Sequence, residues 1–315
     1  MATTEPRTAG DTGDTGDSSG TRAARAVLRL PPASFFLVSA VFHYLGPALA
    51  VLLFAHVTAL GVMWLRIASA AVVFAAWRRP WRLVSRLDRR QRATLLGLGV
   101  VLALMNAVFY LACARLPLAT VGTIEFLGTV VLAAVGARSR RNIAALVVTV
   151  AGVAALTAFQ VEARPLGILL AFGNCAGFML YVMLAHRVAN TAGNRAEDGA
   201  QAGTGALGGI DQLGASMLIA AVAATPLGLG GALPAFTHPA WLVWGIGVGV
   251  CSSVIPYVTD QLAMARLPRA TFALMLALLP ACATVIGAVV LGQIPTAREL
   301  AGVALVIAGV ALHRG

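Results

Sequence analysis

The chain has 315 residues, of which 59% are hydrophobic and only 11% charged, whereas about a quarter of the residues of a soluble domain are charged. That balance excludes an ordinary soluble enzyme or binding module. The net charge of +11 comes entirely from arginine, with no lysine in the sequence, and its distribution along the chain argues for an orientation signal rather than a nucleic-acid surface.

Residues 1–33 open with repeated DTGD and scattered Thr, Gly and Ser. They carry too little apolar surface to fold and read as a disordered cytoplasmic tail. No secretory signal is expected, because the first apolar segment is long and lies behind Arg22, Arg25 and Arg29.

From residue 34 onward, apolar segments recur with spacings suited to helices of about 20 residues, the length that spans a bilayer. Ten are predicted: 34–55, 57–77, 93–112, 117–137, 142–160, 166–187, 211–232, 240–262, 270–291 and 297–313. Runs such as ALMNAVFYLACA and ALVVTVAGVAAL lack the alternating polarity of a membrane β-barrel strand. The expected fold is therefore an all-α integral membrane protein. Arginines concentrate in alternate loops, most densely at Arg78, Arg79, Arg82, Arg86, Arg89, Arg90 and Arg92, while the intervening loops hold only Arg115, Arg164 and Arg298. This bias predicts both termini on the cytoplasmic side of a bacterial inner membrane, with a secondary attraction to anionic lipid in the bilayer.

The chain contains an internal repeat. ARLP occurs at 114–117 and again at 265–268, and the sequences that follow run in parallel: LATVGTIEFLG beside RATFALMLALL, then ALVVTVAGVAAL beside GVALVIAGVAL. An odd number of spans per copy inverts the second copy in the membrane, an arrangement used for alternating access in secondary transporters. The expected organisation is a first repeat over 34–160, the sixth helix at 161–187 opening the second, a flexible cytoplasmic loop over 188–210, and the remaining four helices over 211–315. Gly46-Pro47, Pro226, Pro256 and Pro280 are read as breaks within spans.

Polar side chains inside the spans are the candidate functional residues, because placing them in hydrocarbon is costly. Glu125 is the one charged residue from Leu116 to Ala137 and shares a helix face with Gly122, Gly128 and Thr129, so a proton or a substrate has room to reach it. Arg66, near the middle of the second span, could bind an anionic group of the substrate, pair with Glu125 or reach the interface. His43 with Ser39, Asn106 with Tyr110, Asn174 with Tyr181, and Ser253 with Tyr257 and Asp260 form polar stripes expected to line a central cavity. Asp260 and Asp211 can also be read as solvated near helix ends. Cys113, Cys175, Cys251 and Cys282 lie singly in spans and read as packing residues.

No GxxxxGK[ST] loop or metal-ligand cluster is present in the sequence. Neither a cofactor nor a metal is expected, and movement of a small-molecule substrate is expected to draw on an ion gradient, with the proton as coupling ion, or on the substrate's own concentration. An integral membrane enzyme or sensor would need a catalytic set or a signalling domain that the sequence does not display.

WLRIASAAVVFAAWRRPWR, ALMNAVFYLACARLPLATVGTIEFLG and SSVIPYVTDQLAMARLPRATFALMLALLPA, followed by IGAVVLGQIPT, together resemble the EamA-type members of the drug/metabolite transporter superfamily. Within them, the likeness is to the threonine/homoserine exporter branch. The resemblance implies ten helices in two EamA repeats and proton-coupled export of amino acids or related metabolites. Three positions depart from it: Gly128-Thr129 stands in place of GP, Ala277-Leu278-Leu279-Pro280 in place of SLEP, and Asp260 in place of a more usual Glu. Loss of the second membrane carboxylate leaves Glu125 as the main proton-coupling candidate and keeps efflux of a drug-like or secondary metabolite open as an alternative.

Overall fold

A computed structural model of the chain describes residues 32–136, 140–196, 206–264 and 279–312. Every regular element among them is helical. In chain order these are α1 (Pro32–Leu53), α2 (Ala59–Arg78), the short α3 (Trp81–Arg86), α4 (Arg89–Cys113), α5 (Leu118–Gly136), α6 (Arg140–Ala163), α7 (Pro165–Ala196) and α8 (Ala206–Thr237). Then follow α9 (Pro239–Gly249), a π-helical turn (Val250–Val254), α10 (Ile255–Met264), α11 (Leu279–Leu291) and α12 (Ala297–Leu312).

Among the described residues, five stretches are long and apolar enough to cross a membrane: Ala59–Arg78, Arg89–Cys113, Pro165–Ala185, Gly209–Thr237 and Pro239–Asp260. Shorter apolar stretches run over Leu37–Leu53, Leu118–Gly128 and Leu279–Leu291. An all-α membrane fold follows. The second ARLP motif and the start of the ninth predicted span, with Ala277 and Leu278, lie outside the described residues, as does nearly all of the N-terminal tail. Around the expected loop at 188–210, helix continues to Ala196 and resumes at Ala206.

Local chemistry fixes the helix ends. The Thr58 hydroxyl accepts from the Gly61 N–H at 3.2 Å, supplying one of the donors that a helix start leaves without a partner. Asp88 and Gln91 form a reciprocal capping box at the start of α4, with bonds of 2.8 and 3.1 Å. Arg79, at φ 49°, ends α2 in the left-handed region directly before Pro80.

Packing is close where small residues meet. A Cβ on Gly61 would lie 2.3 Å from the Gly231 carbonyl oxygen, which brings α2 and α8 into backbone contact. Gly152 plays the same part between α6 and α12, where a Cβ would lie 2.7 Å from the Gly302 carbonyl oxygen. Between helices in lipid, such contacts replace the hydrophobic drive that water would otherwise provide. Besides these two pairs, α4 packs on α7 and α8, α1 on α9, α10 and α11, α2 on α9, and α5 on α6, α7 and α11; α11 also meets α12.

Two of the prolines act differently from the sequence expectation, while the break expected at Pro256 has a counterpart. Pro47 and Pro226 lie inside continuous helices and do not break them. The helical irregularity comes just before Pro256, where the π turn occupies Val250–Val254. A proline cannot donate to the carbonyl four residues back and clashes with it, and a wider turn makes room at that point.

Candidate functional site

Arg66 is buried, at 7% exposure, halfway along α2. Its Nε donates to the Ser253 hydroxyl at 3.0 Å, its Nη1 to the Asn106 Oδ1 at 2.7 Å, and its Nη2 to the Ser252 carbonyl at 3.3 Å. The last acceptor has a structural origin. The α-helical donor to the Ser252 carbonyl would be the N–H of residue 256, and residue 256 is proline. Arg66 therefore meets a carbonyl whose regular α-helical donor is missing.

Asn106 is fixed in turn by donating Nδ2 to the Leu102 carbonyl at 2.8 Å. The guanidinium carbon sits 5.5 Å from the Tyr110 ring centroid, within reach of a cation–π contact. All the hydrogen-bond acceptors of Arg66 are neutral. The pairing with Glu125 that the sequence left open is not formed as a hydrogen-bonded ion pair.

Glu125 lies on α5, part-buried, among small neighbours. Gly122 packs against Tyr44, whose hydroxyl a Cβ would approach to 2.8 Å, and Gly128 packs against Cys175 and Met179 of α7. The Glu125 carboxyl is within interaction range of the Asn174 amide and, farther off, of Arg66. Yet neither polar atom of the Asn174 amide has a hydrogen bond of regular geometry, so the contact between them is loose.

The same holds around this centre. Among the described residues, the buried side-chain polar atoms without a partner are the Tyr44 and Tyr110 hydroxyls, both amide atoms of Asn174 and the Ser252 hydroxyl. All of them belong to the walls around Arg66 and Glu125: Tyr44, Asn174 and Arg66 interact with Glu125, and Tyr110 with Arg66 and Ser252. Buried polar groups are nearly always satisfied, and one left bare costs roughly 1–3 kcal/mol. A cluster of them in one place leaves donors and acceptors that water or a polar solute can satisfy.

The structure thus brings Arg66, Asn106, Tyr110, Asn174, Tyr257 and Glu125 into one neighbourhood. Tyr257 interacts with both Arg66 and Glu125. His43 flanks it, edge-on to Tyr44 at 5.4 Å between ring centroids and within electrostatic reach of Arg66. Asp260 faces Ser39 of α1, whose hydroxyl donates to the Pro256 carbonyl at 3.3 Å. Tyr181 lies toward one end, packed against both the main core and the small cluster around Leu95, Leu98 and Ala215.

Sequence reasoning missed Tyr44, although its neighbour His43 was singled out, and it missed the Ser252 carbonyl. The usable signal was Pro256, which identifies a carbonyl four residues earlier that lacks its α-helical donor. Asp211 was read as solvated; it forms instead a two-pronged ion pair with Arg78, at 2.7 and 3.0 Å, that ties α8 to the end of α2.

Comparison with known proteins gives three findings. The pattern of the EamA-like transporter family matches residues 201–314. The threonine/homoserine exporters RhtA of Salmonella typhimurium strain LT2 and Escherichia coli strain K12 are each 32% identical over 266 residues, covering 84% of this chain and 84% of their own. A solved crystal structure that is 18% identical aligns over 89% of this chain and 96% of its own with a TM-score of 0.52, a likeness of fold.

Proposed function

The chain belongs to the EamA-like transporter family, and from that premise we propose that it is a secondary carrier that exports small amino acids of the threonine/homoserine kind in exchange for protons. It acts as a transporter and not as an enzyme. The observation that carries the proposal is the set of unpartnered buried polar atoms around a guanidinium with neutral acceptors and a loosely held carboxyl.

A zwitterionic amino acid fits such a centre. Its carboxylate meets Arg66, a cation that no hydrogen-bonded anion offsets, and its ammonium meets Glu125. Asn106, Tyr110, Asn174 and Tyr257 supply polar and aromatic wall, with His43, Tyr181 and Asp260 nearer the ends of the pathway. The coupling follows from competition. Glu125 in its ionised form attracts the ammonium; a proton on Glu125 removes that attraction and releases the substrate. A proton entering from the acidic side thus displaces substrate outward, which gives exchange without a second carboxylate.

The proposed frame is ten helices in two inverted five-helix repeats, over 34–160 and over 161–187 with 211–315, joined through 188–210. Both termini lie in the cytoplasm. The helix neighbours support this reading. Exchanging each predicted span with the one five places later turns the packing of α4 on α7 into that of α9 and α10 on α1, and turns α5 on α7 into α11 on α1. The pairs α2 with α8, α5 with α11 and α6 with α12 map onto themselves. Such a two-fold relation lets one half rock against the other around a fixed site.

The test is transport into liposomes under an imposed pH gradient, with labelled threonine, homoserine and other amino acids. Wild type is expected to concentrate at least one of them, and Glu125→Gln only to equilibrate it. Equal accumulation by both would make Glu125 structural. Movement of no amino acid, together with altered drug susceptibility in cells, would favour the metabolite-efflux alternative, to which the tyrosines around Arg66 lend support.

A further inference from the structure

A second site lies at the end of the bundle where α2 stops and α4 begins. Between Arg78 and Arg92 the sequence places seven arginines and a single acidic residue, Asp88. Asp88 serves the capping box of α4, and Arg78 is taken up by Asp211. Arg79, Arg82, Arg89, Arg90 and Arg92 are exposed. Trp77 and Trp81 are also exposed, at 53% and 52%, a placement that suits indoles at the headgroup level of a bilayer.

Between these arginines and α8 there is a groove of about 460 Å³, lined by Trp81, Val84, Ser85, Arg92, Ala215, Leu218 and Ile219. Its walls are aliphatic and aromatic, and its only charged lining residue is Arg92. The Arg92 Nη2 donates to the Ser85 carbonyl at 3.2 Å, which holds the guanidinium across the lip while leaving its remaining N–H groups to a ligand. A tail-like apolar slot with a fixed cation at its mouth matches one class of molecule available at this depth.

We propose that this groove binds an anionic phospholipid, with its phosphate against Arg92 and the neighbouring exposed arginines and an acyl chain along Val84, Leu218 and Ile219. The charge complementarity selects the headgroup and the apolar lining selects a lipid over a free anion. Ala215 stands one helical turn from Asp211, so the bound chain lies beside the Arg78–Asp211 pair, where α8 is tied to α2.

The experiment is native mass spectrometry of the full chain in detergent, with phosphatidylglycerol, phosphatidylcholine and chain-free glycerophosphoglycerol offered separately. It needs no transport, so it stands whether or not the amino-acid reading holds. Wild type is expected to retain phosphatidylglycerol preferentially. Arg92→Gln is expected to lower that retention about fivefold, the effect of one basic residue at an anionic lipid surface. Ser85→Glu, on the exposed short helix, should lower phosphatidylglycerol and leave phosphatidylcholine unchanged; Leu218→Trp should reduce both by filling the slot. Equal retention of the two lipids by wild type, or a Ser85→Glu protein that keeps its phosphatidylglycerol, overturns the proposal. So does full displacement of lipid by glycerophosphoglycerol, which would identify a free-anion site.

Discussion

Arg66 and Glu125 lie in the same buried polar centre and are held in opposite ways. Arg66 makes three hydrogen bonds, each to a group that is itself anchored in a helix, and lies over an aromatic face. Glu125 sits between glycines beside an amide with no regular hydrogen bond. A side chain bound on several sides keeps its place when its surroundings change, whereas one with loose neighbours can exchange them. The contrast separates a fixed post from a group free to change partners, and the proposed function rests on that division, with binding at the first and coupling at the second.

The largest expected effect comes from removing the post. Arg66→Leu would strand Asn106, Ser253 and the Ser252 carbonyl, at a cost of roughly 1–3 kcal/mol for each buried group left bare. A clear fall in melting temperature together with loss of substrate binding is expected, and a stable protein that still binds substrate would undo the contrast. Glu125→Gln should abolish accumulation against a gradient while moving thermal stability little, because no regular hydrogen bond is lost; a large drop in melting temperature would show that the carboxyl is structural. Ser253→Ala removes one acceptor of Arg66. It should cost about 1 kcal/mol of stability and raise the half-saturating substrate concentration several-fold without ending coupling, as read by transport assays over a concentration range.

The smallest effect is predicted for Arg78→Gln. The ion pair with Asp211 is partly exposed, 24% and 29% on its two sides, and such pairs contribute about 0–1 kcal/mol. A melting curve nearly superimposable on wild type is expected. A shift as large as that of Arg66→Leu would mean that the ends of the bundle, and not its centre, carry the electrostatic stability.

Span positions were legible in the sequence because hydropathy over about 20 residues depends only on local composition. The helix ends at Leu53, Arg78, Cys113 and Leu291 fall within a few residues of those expected. The candidate residues were legible for a related reason, since a polar side chain in an apolar run stands out without any knowledge of its neighbours. What could not be read was who partners whom. Nothing local in α2 says that Arg66 meets Ser253, 187 positions away, or that Asp211 waits for Arg78. The prolines misled because the ability of a helix to absorb one depends on its packing. Pro47 follows Gly46, whose missing side chain admits Ser252, to which a Cβ would come within 2.0 Å; that contact belongs to tertiary structure alone.

The π turn at Val250–Val254 carries a consequence for rotation about the helix axis. Each residue in an α-helix advances the chain by about 100°, and a π turn holds one residue more than the regular winding. Deleting one residue from 250–254 would therefore rewind the segment as ordinary α-helix while leaving the turns on either side in register, because the Ile255 N–H that now meets the Val250 carbonyl across the wide turn would meet it across a regular one. Tyr257 would keep its place beside the polar centre, and the change would fall on the turn itself, where the Ser252 carbonyl accepts from Arg66. A protein shortened by one amino acid there, still inserted and still helical by circular dichroism, should then bind substrate more weakly without losing its fold, because Arg66 would lose one of its three acceptors while Tyr257 stayed in place.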